Sequence, residues 1–327
     1  MKVSGCIIHS TIQRGKHQNF KQVSMIHLEA SFNGKNQWWR YLVMFVAILA
    51  AANTIGAIPL LFFYFKALLN DPGVAAELAA NPTNLTSLGV SPVTGLTLML
   101  IPFLAAFLVY AILVKPLNGR SFMQTINGTQ KFRWNRFLIS AALWLLMSAI
   151  YLFVYIGVDP ENFRLNNTST TLIWLLIVSF ALIPFQAGLE ELLFRGYLMQ
   201  GFFRLVPRRW FPLIITSVLF GLMHAFNPEV KDFGFLTMMP QYILFGLVFG
   251  VTTILDDGIE TAMGSHAANN FFLSVMLTHK SSALQTPAVY EQLNIFPWME
   301  FAGLLVMSSL FILILGRIFR WNPRVLV

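Results

Sequence analysis

The chain has 327 residues, 56% of them hydrophobic and only 11% charged, where a soluble domain carries roughly 25% charge. Such a composition excludes an ordinary soluble domain and points to a lipid solvent. A single cysteine, Cys6, excludes an intramolecular disulfide framework. The net charge of +8 is spread as membrane orientation requires, so the expected partner is the bilayer and not nucleic acid.

Residues 1–36 are polar and basic, with Lys2, Arg14, Lys16, Lys21 and Lys35 against the single acid Glu29. They lack the apolar core and small-residue cleavage site of a signal peptide and read as a cytosolic tail. Met25 is an alternative start, which would make the first 24 residues a mis-called extension.

Eight apolar segments follow, near 39–65, 94–114, 137–157, 172–203, 210–226, 240–255, 258–277 and 299–319. Each is near the roughly 20 residues that a bilayer helix needs. The expected fold is therefore all-α, a polytopic membrane protein of about eight transmembrane helices. Residues 37–327 form one membrane domain. The first segment is long enough to tilt or to kink at Pro59. The sixth and seventh are joined by only Asp256-Asp257-Gly258, a tight hairpin. Segment 119–136 mixes Arg, Lys, Phe and Trp and is expected along the cytosolic interface.

The basic residues set the orientation. With the N-terminus inside, 18 of the 22 Lys and Arg fall on inside segments, while the outside loops carry Asp71, Glu77, Asp159, Glu161, Glu229, Asp232, Glu291 and Glu300. This is the positive-inside pattern and places both termini in the cytoplasm.

Three segments carry side chains that lipid does not tolerate. Glu190, Glu191 and Arg195 lie in the fourth, His224 in the fifth, and His266 with Asn270 in the seventh. Ionisable groups at membrane depth are functional-site candidates by default. Glu191 and Arg195 are spaced i,i+4 and share a helical face, whereas Glu190 points about 100° away. One carboxylate is thus expected to be held by Arg195 and the other left free for chemistry. Asn269, off the face of His266 and Asn270, reads as an interhelical hydrogen-bonding residue.

Depth supports a meeting of these groups. If the fourth helix runs on to Arg204, Glu190 lies about 21 Å from the inner end, and His224 lies about 22 Å from Arg209. His266 and Asn270 lie roughly 13 and 19 Å from Asp257 at the same rise per residue. Had the fourth helix ended at Arg195, the convergence would fail. Asp256, Asp257 and Glu260 read as a solvated acidic cap on the inner turn. His9, His17, His27 and His279 read as inert.

Two chemistries suit this set in a dry cavity, and both end in amide hydrolysis. In one, Glu190 is a general base that with His224 activates water, while His266 and Asn270 donate to the oxyanion. In the other, Glu190, His224 and His266 hold a zinc ion whose bound water attacks. Neither uses a Ser or Cys nucleophile, since Ser265 has no partner beyond its neighbours.

The three motifs, Glu190-Glu191-x-x-x-Arg195, Phe220-x-x-x-His224 and His266-x-x-x-Asn270, occur intact and in order. With Gly119-Arg120-Ser121 ahead of the third segment, the chain resembles the CPBP family of intramembrane proteases over about 115–280. That family includes the type II CAAX prenyl endopeptidases and bacterial relatives linked to bacteriocin processing or self-immunity. The resemblance implies endoproteolysis within the bilayer, with Glu190 and His224 activating water, His266 and Asn270 serving the oxyanion, and Glu191 and Arg195 in support. It implies a zinc-dependent or a metal-free glutamate mechanism and leaves the choice open. It also implies a peptide or membrane-protein substrate, prenylated or not. Compact loops fit a bacterial plasma membrane. Two rival readings remain: a non-catalytic scaffold or immunity protein of the same fold, and a proton- or cation-coupled transporter. The transporter predicts repeated halves, which the sequence lacks.

Overall fold

A computed structural model of the protein describes residues 26–166 and 169–326. The expectations for Cys6, His9, His17 and the first 24 residues lie outside the described residues. The chain is an all-α membrane bundle with helices in all eight apolar stretches. In chain order they are α1 Ile26–Glu29, α2 Trp38–Asn53, α3 Ile58–Asn70, α4 Val74–Ala80, α5 Pro92–Asn118, α6 Phe122–Asn127 and α7 Trp134–Val158. There follow α8 Ser169–Glu191, α9 Met199–Leu205, α10 Trp210–Met223, α11 Pro228–Phe233, α12 Phe235–Asp256, α13 Glu260–Met276 and α14 Pro297–Ile318.

Among the described residues, six helical spans are long and apolar enough to cross a membrane: 38–70, 92–118, 134–158, 171–205, 235–256 and 297–318. The fifth and seventh expected segments do not meet that standard. α10 has 14 residues and α13 has 17, and a 14-residue helix spans about 21 Å of a hydrocarbon core about 30 Å thick. These are the two helices that carry the candidate histidines. The first segment breaks at residues 54–57, and Pro59 enters at the start of α3, where its missing N–H costs no hydrogen bond.

Close helix contacts build the core. α13 packs on α7 and α8, α5 packs on α2 and α8, and α10 packs on α12. The last contact needs a bare backbone: a Cβ on Gly246 would meet the Ser217 carbonyl oxygen at 2.7 Å. Small residues bring membrane helices together in this way. At the acidic end three short strands, β1 Phe163–Leu165, β2 Leu277–Thr278 and β3 Tyr290–Gln292, form a small sheet in the order β1-β3-β2. β3 runs antiparallel to β1 and parallel to β2, and Arg164 pairs with Glu291 across it.

The basic end differs from the sequence expectation in two ways. Asp256 and Glu260 are buried and paired, not a solvated cap. Arg133 holds Asp256 at 3.3 Å and Glu260 at 2.6 Å, Arg136 holds Asp256 at 3.1 Å, and Trp321 donates to Asp256 at 2.8 Å. These pairs clamp the 119–136 segment under the α12–α13 turn, because two buried carboxylates need cationic partners. Within that segment, Ser121 and Gln124 form a capping box on α6.

Second, residues 26–33 dock against the bundle. Leu28 is fully buried beside Met199, Phe203, Ile254 and Val325. Asp257, held at φ 50°, accepts the backbone N–H of Ile26 at 3.0 Å and of His27 at 2.9 Å. His27 is wholly buried in this docked segment and not part of a free tail. Burial holds its pKa below the usual 6.5; the Arg195 carbonyl, Asp257 and Glu260 oppose that shift and Arg133 adds to it. A histidine whose folded pKa is depressed contributes stability that is complete above its unfolded pKa and is lost as pH falls below it. Docking of residues 26–33 is therefore expected to loosen as pH drops below 6.5. Amide hydrogen exchange over residues 26–33 at about pH 7.5 and about pH 5, corrected for intrinsic rates, checks this; equal protection would contradict it.

Candidate active site

The fourth apolar segment runs unbroken to Leu205, so the depth argument keeps its premise. Within it, α8 passes into a π-helical turn, Leu192–Leu198, before α9. Such turns are rare and concentrate at functional sites. Gly196 lies in this turn, and a Cβ there would meet the Thr125 carbonyl oxygen at 2.6 Å, so the turn packs directly on α6.

Glu191 and Arg195 are both fully buried and form the i,i+4 pair that their spacing predicts. Arg195 Nη1 donates to Glu191 Oε1 at 2.9 Å, and Nη2 donates to the Gly246 carbonyl at 3.0 Å. The guanidinium lies 4.4 Å from the Phe220 ring, with Phe249 and Phe194 at 5.5 and 5.9 Å. Aromatic faces partly replace the water that a buried cation loses. Glu191 Oε1 also accepts from His266 Nδ1 at 2.7 Å. Phe249 stacks on the His266 ring at 4.8 Å with planes 17° apart. His266 is thus fixed at one nitrogen and on one face, and its Nε2 is turned toward Glu190.

Glu190 is the less constrained carboxylate. Its Oε1 accepts from Gln186 Nε2 at 2.5 Å. Its Oε2 is buried, has no hydrogen-bond partner among the described residues, and lies 3.7 Å from His266 Nε2. That separation is too long for a hydrogen bond. Unpartnered buried oxygens are uncommon in native proteins, and a catalytic role is one of the few explanations. Glu191 Oε2 is also buried and unpartnered. What sets Glu190 apart is that its bare oxygen faces His266 Nε2, while no Arg or Lys among the described residues holds its carboxylate.

Behind Glu190 runs a chain of directed hydrogen bonds. Trp144 Nε1 donates to Asn269 Oδ1 at 3.2 Å, Asn269 Nδ2 to Asn270 Oδ1 at 3.0 Å, and Asn270 Nδ2 to Gln186 Oε1 at 2.9 Å. Gln186 then donates to Glu190. Indole N–H groups only donate, so the end at Trp144 sets the direction of the whole chain. Sequence reading missed Gln186; the available signal was an amide four residues before Glu190 in an otherwise apolar helix. Asn269 does join helices, α13 to α7, as expected.

His224 closes α10, where its Nδ1–H donates to the Phe220 carbonyl at 2.8 Å. Tyr242 stacks on its ring at 4.4 Å with planes 16° apart. The Phe220 ring lies 4.9 Å from His224 and 5.8 Å from His266, so one aromatic residue touches both imidazoles and Arg195. The imidazole within salt-bridge reach of Glu190 is that of His266; among the described residues His224 makes no such pair. Ser265 Oγ donates only to carbonyls of its own helix. At the acidic end, burial pushes the His279 pKa down to about 4 against the opposing charge of Asp232.

The zinc scheme needs Glu190, His224 and His266 around one point. Both imidazoles have Nδ1 engaged and Nε2 turned away from that bond, as second-shell partners arrange them in zinc sites. Yet no group of three or more His, Cys, Asp or Glu side chains among the described residues is placed to hold a metal ion. The ring orientations suit zinc and the placing of the three groups does not, so no step below passes through a metal.

Replacing Gln186 by Leu would leave Glu190 Oε1 and Asn270 Nδ2 unpaired, an expected cost of about 1–3 kcal/mol per orphaned group. Thermal unfolding measures this directly.

The sequence profile described as type II CAAX prenyl endopeptidase Rce1-like matches residues 169–272, a span that contains Glu190, Glu191, Arg195, His224, His266 and Asn270. A Bacillus subtilis (strain 168) protein, named as the uncharacterised protein YyaK, is 31% identical over 251 residues, which is 76% of this chain and 81% of that protein. No solved structure matches.

Proposed function

The chain belongs to the Rce1-like family of type II CAAX prenyl endopeptidases, and on that premise we propose that it hydrolyses a peptide bond inside the membrane with Glu190 as general base. The observation that carries this reading is the state of Glu190. One of its oxygens is anchored by Gln186 and the other is buried, unpartnered and turned to His266.

Water placed against Glu190 Oε2 attacks the scissile carbonyl carbon as Glu190 takes its proton. His224 Nε2, free because Nδ1 is bound to Phe220, is the second acceptor that orients this water. The carbonyl oxygen becomes an oxyanion, which His266 receives through Nε2–H as the imidazolium, its Nδ1–H held by the Glu191 carboxylate. Asn270 has a second N–H beyond the one given to Gln186 and serves the same oxygen. Glu190 then returns its proton to the amide nitrogen, the C–N bond breaks, and an acid and an amine leave. Arg195 touches no reacting atom; it holds Glu191.

The substrate is a small peptide or a membrane-associated segment. The basic end of the bundle faces the cytoplasm, and a bacterial plasma membrane is the proposed location.

The test is peptide cleavage by the purified protein in liposomes, with substrates bearing or lacking a C-terminal prenyl-cysteine. Glu190→Ala and His224→Ala are each expected to lose at least about 100-fold in rate. A zinc chelator and metal analysis of the same sample separate the two mechanisms: indifference to chelation supports the glutamate scheme, and loss with near-stoichiometric zinc overturns it. Variants that cleave like wild type would refute the assignment. A wild-type protein that binds these peptides but cleaves none would favour the scaffold reading.

A further inference from the structure

The π-helical turn leaves one backbone carbonyl to be satisfied from outside its own helix. In regular α-helix the Met199 N–H would bond the Arg195 carbonyl four residues back. Here it bonds Phe194, five residues back. The Arg195 carbonyl receives instead the ring of His27, Nε2 to O at 3.0 Å, from the docked segment. Buried carbonyls need a partner, and this one belongs to the residue that holds Glu191.

The neighbours of His27 fix its tautomer. Gln200 Nε2 lies 3.3 Å from His27 Nδ1 and also donates to the Gln124 carbonyl at 2.9 Å. Gln200 Oε1 accepts from the fully buried Arg120, which can only donate, so the amide orientation of Gln200 is set. His27 Nδ1 therefore accepts and Nε2 carries the hydrogen, the one neutral form that satisfies both contacts.

We propose that His27 is a positioning residue of the site, taking up the carbonyl released by the π-turn and so fixing the arm from Arg195 through Glu191 to His266. Each link is a hydrogen bond already described: His27 to the Arg195 carbonyl, Arg195 Nη1 to Glu191 Oε1, and His266 Nδ1 to the same oxygen. Within the docked segment it is His27 that acts on the site, from outside the profile match at 169–272. Arg120 of the Gly119-Arg120-Ser121 motif joins the same network through Gln200. The kinetic arm of the test rests on the proposed hydrolysis; the spectroscopic arm does not.

The full-length protein would be compared with His27→Ala, His27→Gln and Leu28→Ala. Glutamine keeps an N–H donor near the position of Nε2. Leu28→Ala lowers the packing stability of the bundle without removing the His27 ring or the backbone contacts of Ile26 and His27 to Asp257. The expected result is a kcat roughly 10- to 100-fold lower in His27→Ala with KM changed less than about twofold, and restoration to within about threefold in His27→Gln. Leu28→Ala should keep a near-wild-type kcat at temperatures below its melting point. In histidine-labelled samples the His266 Nδ1–H resonance should move in His27→Ala and return in His27→Gln. Equal kcat in His27→Ala and wild type, equal losses in the Ala and Gln variants, or a His266 resonance unmoved in His27→Ala would each overturn the proposal. Should wild type cleave no peptide, the hydrolysis reading fails by itself, and the His266 resonance decides this one.

Discussion

The fold is arranged around a carboxylate that has no access to water. Glu191 is fully buried inside the bundle, and an isolated charge there would be very costly. Its oxygen Oε1 meets both Arg195 and His266, and Arg195 in turn needs the Gly246 carbonyl and three phenylalanine rings. The demand spreads outward. Arg195 draws on α10 through Phe220 and on α12 through Gly246 and Phe249, while Glu191 draws on α13 through His266. Four helices are tied to one ion pair, and the freedom left to Glu190 follows from the restraint on its neighbour.

This requirement explains why two of the helices depart from ordinary lipid-spanning character. α10 is short because its last turn ends at His224, whose Nδ1–H caps the Phe220 carbonyl. α13 is polar because its buried residues include Thr261, Ser265 and His266, with His266 bonded to Glu191 of α8 and the half-buried Asn269 bonded to Trp144 of α7. α13 does not need to satisfy lipid on all sides, since it packs on α7, α8 and α12, whereas α10 keeps an exposed apolar face of Ile214, Val218 and Leu222. Polar side chains in a bilayer are tolerated where they face the bundle interior.

Much of this was legible in the sequence. The spacing of Glu191 and Arg195 predicts their pairing, and the apolar run to residue 205 predicts the depth at which Glu190 lies. His266 and Asn270 share a face because four residues make about one helical turn. Other features were not readable, for physical reasons. Phe249 and Trp144 look like ordinary core aromatics until the fold stacks one on His266 and aims the other's N–H at Asn269. Asp256 and Glu260 read as a solvated cap because nothing local reveals that Arg133 and Arg136, more than a hundred residues earlier, return to them. His27 reads as a tail residue because a π-turn, and hence the carbonyl it releases, has no sequence signature in an apolar helix. Long-range partners and register slips are decided by packing, which periodicity does not encode. The nearness of the His266 imidazole to Glu190, 3.7 Å from Nε2 to Oε2, is likewise a matter of packing that spacing along the chain does not reveal.

The central claim is a division of labour between two adjacent carboxylates, Glu191 holding the structure and Glu190 doing the chemistry. Thermal unfolding and peptide cleavage measured on the same preparations of Glu190→Gln and Glu191→Gln test it most directly. The account predicts that Glu190→Gln melts near the wild-type temperature and is inactive. Glu191→Gln should lose about 3 kcal/mol or more of stability, because it strands Arg195 and His266 in the interior. A Glu191→Gln protein as stable as wild type, or a Glu190→Gln protein that still cleaves, would contradict it.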